Sequence, residues 1–536
     1  MAAGIARGAM LIAGLTAVSR VLGLGRTLVF SQSVGSGCLG TAYVTANQVP
    51  NLIYERALGG ALTSAMVPVL ARSAARASAD PEAKERVARI SSALLTWGVI
   101  ILVPLTLLVM ALAHPIASLL VPANPNDACA RPAMVATTAT MLIAFAPQVF
   151  FYGVSVVLFG LLYAYRRFTG PTLAPVIANF VMIGSYLGYA ALDDGRPLGG
   201  TPLAAVLVLS IGTTMNIATL VFVALPPTRR LQLKLRPTLS FPPGVMRQVG
   251  GLALVGILEF AASDVASVII IELANGHGTT GALVLVNYAS LVFASIAAVF
   301  ALSIVTSAFP VLSATDGEAF DRTCAGSTRS ILLMSWLGTA VIVAVAIPAA
   351  HILVKQPEQV TELTQALILS APAVAGQGVV YNMSRVMFAL GRLRAAALGL
   401  IAIALLGAVI SIPLVLYGPP RLAVAFITLG TTIVQLAVAV PMVAAIRRVR
   451  GKAAVEGVVR ATLASLAAGL AGSAAGLGVT LAAPVGGKLH DIGSGAAGAA
   501  VAILAFGVVA YALDGGELRA ALRRLRRLRR LAGSGS

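Results

Sequence analysis

Val18–Leu70 reads VSRVLGLGRTLVFSQSVGSGCLGTAYVTANQVPNLIYERALGGALTSAMVPVL. Two long apolar segments, separated by a glycine-rich turn at Gly35 to Gly40, carry Arg20, Arg26 and Arg56 at depths where a bilayer excludes charge. A cation held there is costly and is retained where it has a task. The working expectation is that these arginines line a water-filled cavity and hold an anionic substrate.

Outward from that stretch the same composition continues. Hydrophobic residues make up 58% of the chain and charged residues 11%. That is more apolar sequence than a soluble core uses, so the chain reads as an integral membrane protein. No segment has the basic, apolar, small-residue layout of a cleavable signal peptide, and Met1 is expected to stay attached. Apolar runs of about 20 residues, the length that crosses a bilayer at about 1.5 Å per residue, occur fourteen times. Their centres lie near Leu15, Leu58, Leu107, Val149, Met182, Ile211, Ala262, Ile296, Ile342, Val374, Ala404, Gln435, Gly469 and Ile503. The fold expected is all-α, with about 14 transmembrane helices.

Charge gives the orientation. With the connections assigned alternately to the two sides, one side carries 29 Lys and Arg, the other five, and four lie inside the membrane. Basic residues are retained on the cytoplasmic side, so both termini are expected there. The net charge of +19 then follows from topology and attraction to anionic headgroups, and needs no nucleic acid. In the tail, leucines from Leu518 to Leu531 recur every three or four residues between arginines. An amphipathic helix on the inner surface and a solvated basic tail both fit. Three cysteines exclude a disulfide-built fold. Cys38 and Cys129 fall in outer loops and Cys324 inside, so an external disulfide and free thiols both remain open.

Internal organisation suggests two lobes. A basic, proline-rich connection at 226–243 resembles a hinge or tether between an N-lobe (1–225, helices one to six) and a C-lobe (244–446, helices seven to twelve). Residues 447–513 form an appended helix pair and 514–536 a basic cytoplasmic tail. Val67-Pro68-Val69-Leu70 ends helix two and Phe309-Pro310-Val311-Leu312 ends helix eight. Leu162 to Phe168 likewise resembles Met387 to Leu393. Repeated halves in pseudo-twofold arrangement, with a site between them, are a common transporter design. The appended pair is rich in Ala and Gly, which suits either a groove for a lipid chain or close padding of the second lobe.

Other charges at membrane depth are Glu55 beside Arg56, Glu259, Asp264 and Glu272 on helix seven, and Arg385 on helix ten. Arg20 and Arg26 are six residues apart and share one cavity only if the helix bends, for which Gly23 and Gly25 provide a place. Arg20 can instead snorkel to headgroups, and Arg56 can be neutralised by Glu55. Asp264, the deepest acid, suits either an arginine partner or a group taking up a proton or monovalent cation. Tyr43, Asn47, Gln48 and Asn51 add hydrogen-bonding groups near Arg26, a lining suited to pyrophosphate or sugar. There is no Walker loop, HExxH or CxxC, and the four histidines sit near outer ends, unsuited to one metal site. No cofactor, metal or catalytic residue is expected.

These residues carry a resemblance. The chain is similar to the MurJ/MviN family of lipid II flippases, within the multidrug/oligosaccharidyl-lipid/polysaccharide exporter superfamily. Four stretches bear it: Ser19 to Arg26; Val49-Pro50-Asn51-Leu52 through Gly60-Ala61 to Leu70; Arg167-Phe168 with Pro171 to Val176; and Arg385 to Gly391. The resemblance implies a V-shaped, alternating-access flippase in a bacterial cytoplasmic membrane. Its substrate would be an undecaprenyl-pyrophosphate-linked peptidoglycan precursor, its tail groove the appended helix pair, and its partners membrane lipids and proteins of cell-wall synthesis or division. Arg20 and Arg26 match the family's functional arginines, with Ser19 opening that motif. Arg56 is displaced, because the family's basic positions align with Tyr54 and Glu55. Acids of the family are replaced by Thr27, Thr41 and Gly59, and its helix-eight Asp-Arg reads Tyr288-Ala289-Ser290-Leu291 here. An exporter of another lipid-linked glycan or of amphiphilic small molecules, and a non-transporting scaffold for cell-wall enzymes, are the alternatives. Salt-bridge gating of the family type is correspondingly in question.

Overall fold

An apolar segment in lipid has no water to satisfy its backbone, and the helix closes every hydrogen bond within the segment. A computed structural model of the chain describes residues 2–54, 76, 80–165, 167–241, 245–483 and 486–533. Among them all regular structure is helical. The first seven long helices are α1 (Ala2–Ser33), α2 (Cys38–Tyr54), α3 (Pro81–Ala111), α4 (Arg131–Ala164), α5 (Thr169–Leu192), α6 (Leu203–Arg229) and α7 (Val245–His277). They are followed by α8 (Ala282–Ala314), α9 (Gly317–Leu353), α10 (Pro357–Ala389), α11 (Leu393–Leu416), α12 (Pro420–Arg450), α13 (Ala453–Ala482) and α14 (Lys488–Gly533). Eleven of the described helices are long and apolar enough to cross a membrane. α1, α2 and α7 stand at the other three expected spans, although the expected centre at Leu58 lies outside the described residues.

Two compact units divide the chain, 1–276 and 277–536. This groups α7 with the first unit, whereas the proline-rich connection had suggested starting the second lobe at 244. Polar contacts tie the end of α7 to that unit. Asn275 near the end of α7 donates through Nδ2 to Thr45 Oγ1 (3.1 Å) and to the Leu120 carbonyl (2.8 Å), and Asn124 donates to the Asn275 carbonyl at 2.8 Å. The connection itself is docked rather than loose. Backbone N–H groups of Arg236 and Thr238 donate to Ser92 Oγ and Thr96 Oγ1 on α3, and Trp97 Nε1 donates to the Leu239 carbonyl. Leu231 is buried with Val87, Ile90 and Leu161.

The internal echo at Leu162 and Met387 is structural. Arg167 N–H donates to Leu162 O and Arg392 N–H to Met387 O, the same closure at the ends of α4 and α10. In the second case Gly391 takes the left-handed conformation (φ +71°) that such a helix end requires. Both helices are also interrupted at an Ala-Pro pair, at Ala146 in α4 and Ala371 in α10. Proline offers no N–H to continue the ladder there.

In the second unit, the appended pair uses its small residues for contact. A Cβ at Gly469 would lie 2.9 Å from the Trp336 ring on α9, and one at Gly476 within 2.8 Å of Ala502 on α14. Such positions let helix backbones approach closely, so this face pads the unit, and a lipid chain would need another face of the pair.

Cys38 and Cys129 are joined as a disulfide, while Cys324 is free and buried. The bond ties the start of α2 to the loop before α4 and closes 91 residues of chain. A loop of that size corresponds to about 4–5 kcal/mol of unfolded-state entropy, of which about 2–4 kcal/mol is typically realised. Maleimide should therefore label one thiol in denatured, unreduced protein and three after reduction, and Cys38→Ser should melt at a lower temperature. Three thiols without reductant would show the pair to be open.

Candidate functional site

The first unit brings α1, α2, α4, α5 and α6 together around a polar interior. α1 runs unbroken through Gly23 and Gly25, with open space beside both. Without a break, Arg20 and Arg26 remain on flanks about 120° apart. Arg20 is exposed and Arg26 half-buried. The Arg26 charge acts on Tyr43 of α2, placing that cation beside the interior. Ser19 contributes its backbone: Asn179 Nδ2 on α5 donates to the Ser19 carbonyl at 3.3 Å.

Around Tyr43 the packing is tight. Its side chain is buried, and its hydroxyl shares hydrogen bonds with Tyr186 (3.3 Å) and Thr213 (3.0 Å). Its ring meets Phe30 and Phe145 at centroid distances of 5.3 and 5.5 Å. Tyr43 is thus part of the wall behind Arg26. One and two turns further along α2 stand Asn47 and Asn51, both half-buried. Asn51 Oδ1 accepts from the Tyr152 hydroxyl at 3.0 Å. Asn47 Oδ1 is buried without a hydrogen-bond partner among the described residues, as is Gln148 Oε1 on α4. Buried acceptors without donors are costly and mark places that a water or ligand donor fits.

Thr27 and Thr41 turn their hydroxyls onto their own backbone. Thr27 Oγ1 donates to the Gly23 carbonyl and Thr41 Oγ1 to the Gly37 carbonyl, each on its own helix or at its start. Among the described residues no carboxylate pairs with Arg20 or Arg26. Glu55 and Arg56 lie outside the described residues, as does Gly59; Glu259 lies on α7 with its side chain outside them too. Asp264 is half-buried on α7.

In the second unit Arg385 is exposed on α10, its guanidinium over the rings of Phe309 (5.3 Å) and Phe388 (5.9 Å). Such stacking holds a cation in place without neutralising it. Tyr288 and Ala289, in the stretch where the resemblance leads one to expect a charged pair, are buried core residues. Tyr152, Gln148, Tyr186 and Thr213 escaped the sequence reading. Their mark was there, in polar side chains at one-turn spacing within an apolar run, as at Gln148 and Tyr152.

The family described as lipid II flippase MurJ matches residues 30–484. A lipid II flippase MurJ of Burkholderia cenocepacia is 27% identical over 33% of this chain and 33% of its own length. A probable lipid II flippase MurJ of Rhizobium meliloti is 28% identical over 37% of this chain and 36% of its own. The aligned segments thus span about a third of these relatives. Among solved structures, a lipid II flippase MurJ in an inward closed conformation superposes with a TM-score of 0.71 at 16% identity, covering 94% of this chain and 99% of that one. An inward-facing multidrug transporter of the MATE family superposes with a TM-score of 0.59 at 13% identity, covering 80% and 95%. At such identities these two likenesses establish the fold.

Proposed function

The chain belongs to the lipid II flippase MurJ family, and from that premise we propose that it carries lipid II, a polyprenyl-pyrophosphate-linked peptidoglycan precursor, from the inner to the outer leaflet by alternating access. The observation that carries the reading is Arg26, half-buried at membrane depth beside a polar interior, with no carboxylate partner among the described residues. A guanidinium in a low-dielectric cavity offers paired N–H donors that match a pyrophosphate oxygen pair. Arg20, exposed on another flank of the unbroken α1, would meet the substrate outside this cavity, with Ser19 beside it. Asn47 and Asn51 would meet sugar or peptide, and Arg56, placed by sequence alone, would add to the cavity charge.

Both termini face the cytoplasm in this reading, supported by the 29-to-5 distribution of Lys and Arg. Transport draws on an ion gradient or the membrane potential, with Asp264 as a candidate coupling group and Glu259, Glu55 and Arg385 as candidates for gating. Membrane lipids, and proteins of cell-wall synthesis or division, would be its partners. No covalent step is assigned to it.

The test is complementation of a bacterium depleted of its own lipid II flippase. Wild-type protein is expected to restore outer-leaflet lipid II and growth. Well-expressed protein that restores neither would overturn the assignment.

A further inference from the structure

One buried acid belongs to no part of this site. Glu362, in the second unit, lies on the second turn of α10 and is 4% exposed. Five residues from the helix start place it about 7–8 Å below that end of the span. Its two carboxylate oxygens lie 3.0 and 2.8 Å from the same atom, Oγ1 of Thr279. Among the described residues it has no basic partner. Its surroundings are held firmly, since Gln359, equally buried one turn earlier, donates through Nε2 to the Thr280 carbonyl at 2.8 Å.

The hydrogens decide the chemistry. A threonine hydroxyl has one hydrogen and can donate to one oxygen. With an ionised carboxylate, that single hydrogen would have to be shared between both oxygens in a weaker three-centre bond, leaving a buried charge with one donor. A neutral carboxyl supplies a second hydrogen: Thr279 O–H donates to one oxygen while the carboxyl O–H donates back to Thr279 Oγ1. An isolated carboxylate away from water is also the costlier form.

The charges nearby do not offset this. Arg421, on the turn that opens α12, acts on Glu362 but lies in solvent beside Glu358, at 4.0 Å. Glu358, on the same helix as Glu362, has the opposite effect. α9 ends near His351, with Lys355 in the following turn; α8 brings Tyr288 and no charge; and His277 just before the loop is exposed.

We propose that Glu362 and Thr279 form a proton-binding site, in which the carboxyl is held neutral in a ring with the threonine hydroxyl. When the hydroxyl withdraws and water enters, the carboxyl O–H bond breaks, the proton passes to water and a carboxylate remains; closure reverses the step. This site is separate from Asp264. It rests on the transport reading for its purpose, as the group that exchanges a proton during the cycle, and not for its chemistry.

Infrared difference spectroscopy on the full chain in lipid reads it directly. Wild type should show a protonated-carboxyl band at neutral pH that is lost in Glu362→Gln. In Thr279→Val the band should persist but move toward that of a carboxyl without a hydrogen-bond partner, which keeps the test valid if Glu362→Gln fails to fold. Identical carboxyl regions in wild type and both variants at every pH would overturn the site. So would a Glu362-dependent signal that follows sodium concentration and not pH, because an ion would then occupy it. Lipid II flipping is measured on the same preparation: a band without flipping refutes the substrate assignment alone, and flipping without a band refutes the proton site alone.

Discussion

Arg26→Ala is expected to reduce lipid II flipping by about 10- to 100-fold. A hydrogen bond to a charged group contributes about 1.5–3 kcal/mol, and about 1.4 kcal/mol is a factor of ten in rate. The side chain is half-buried beside Tyr43 and, among the described residues, is paired with no acid; in the proposed cycle its charge meets the substrate. Lysine keeps the charge but not the paired donors, and Arg26→Lys should fall between wild type and alanine. Arg20 is exposed on another flank of α1, and Arg20→Ala should cost less. The measurement is the fraction of lipid II accessible from the outer leaflet at matched expression. Arg26→Ala with wild-type activity would remove Arg26 from the site, even if the protein flips lipid II.

Gly376→Val should destabilise the second unit by about 3 kcal/mol or more, at or beyond the upper end for overpacked interiors. A Cβ at Gly376 on α10 would lie 2.5 Å from the Gln435 carbonyl carbon and 2.7 Å from both Gln435 O and Leu436 N of α12. All three are backbone atoms, so no side-chain rotation relieves the clash, and the helices would have to separate. Gly326→Ala on α9, with nothing within 4 Å, is the control; it should be neutral or stabilising by up to about 1 kcal/mol. Thermal unfolding followed by size-exclusion recovery compares the two. Equal stability of Gly376→Val and wild type would mean that α10 and α12 do not cross so closely.

Much of this protein was legible along the chain. Hydropathy is a local property, and runs long enough to cross a bilayer have one stable backbone solution; the helices therefore fall where the apolar runs do. Arg20, Arg26 and Arg385 stood out for the same reason, as charges where the local composition is apolar. The repeated chain ending at Phe168 and Leu393 was visible as faint similarity, and the matching breaks at Ala146 and Ala371 made it structural.

Tertiary structure alone decided which polar groups meet. Cys38 and Cys129 could have paired or remained free until the fold brought them together across 91 residues. Asn51 meets Tyr152, and Glu362 meets Thr279, across 101 and 83 residues. The connection after α6 could have been a tether, but Ser92 and Thr96 fix it to α3. Each outcome depends on which faces of two distant helices are in contact. In a chain whose helices are apolar nearly all round, periodicity carries little record of those faces. The sequence by itself determined that this is a bundle of membrane helices with arginines set in apolar runs; only packing determined which acceptors, acids and cysteines have partners, because that is a property of pairs of helices and not of either one.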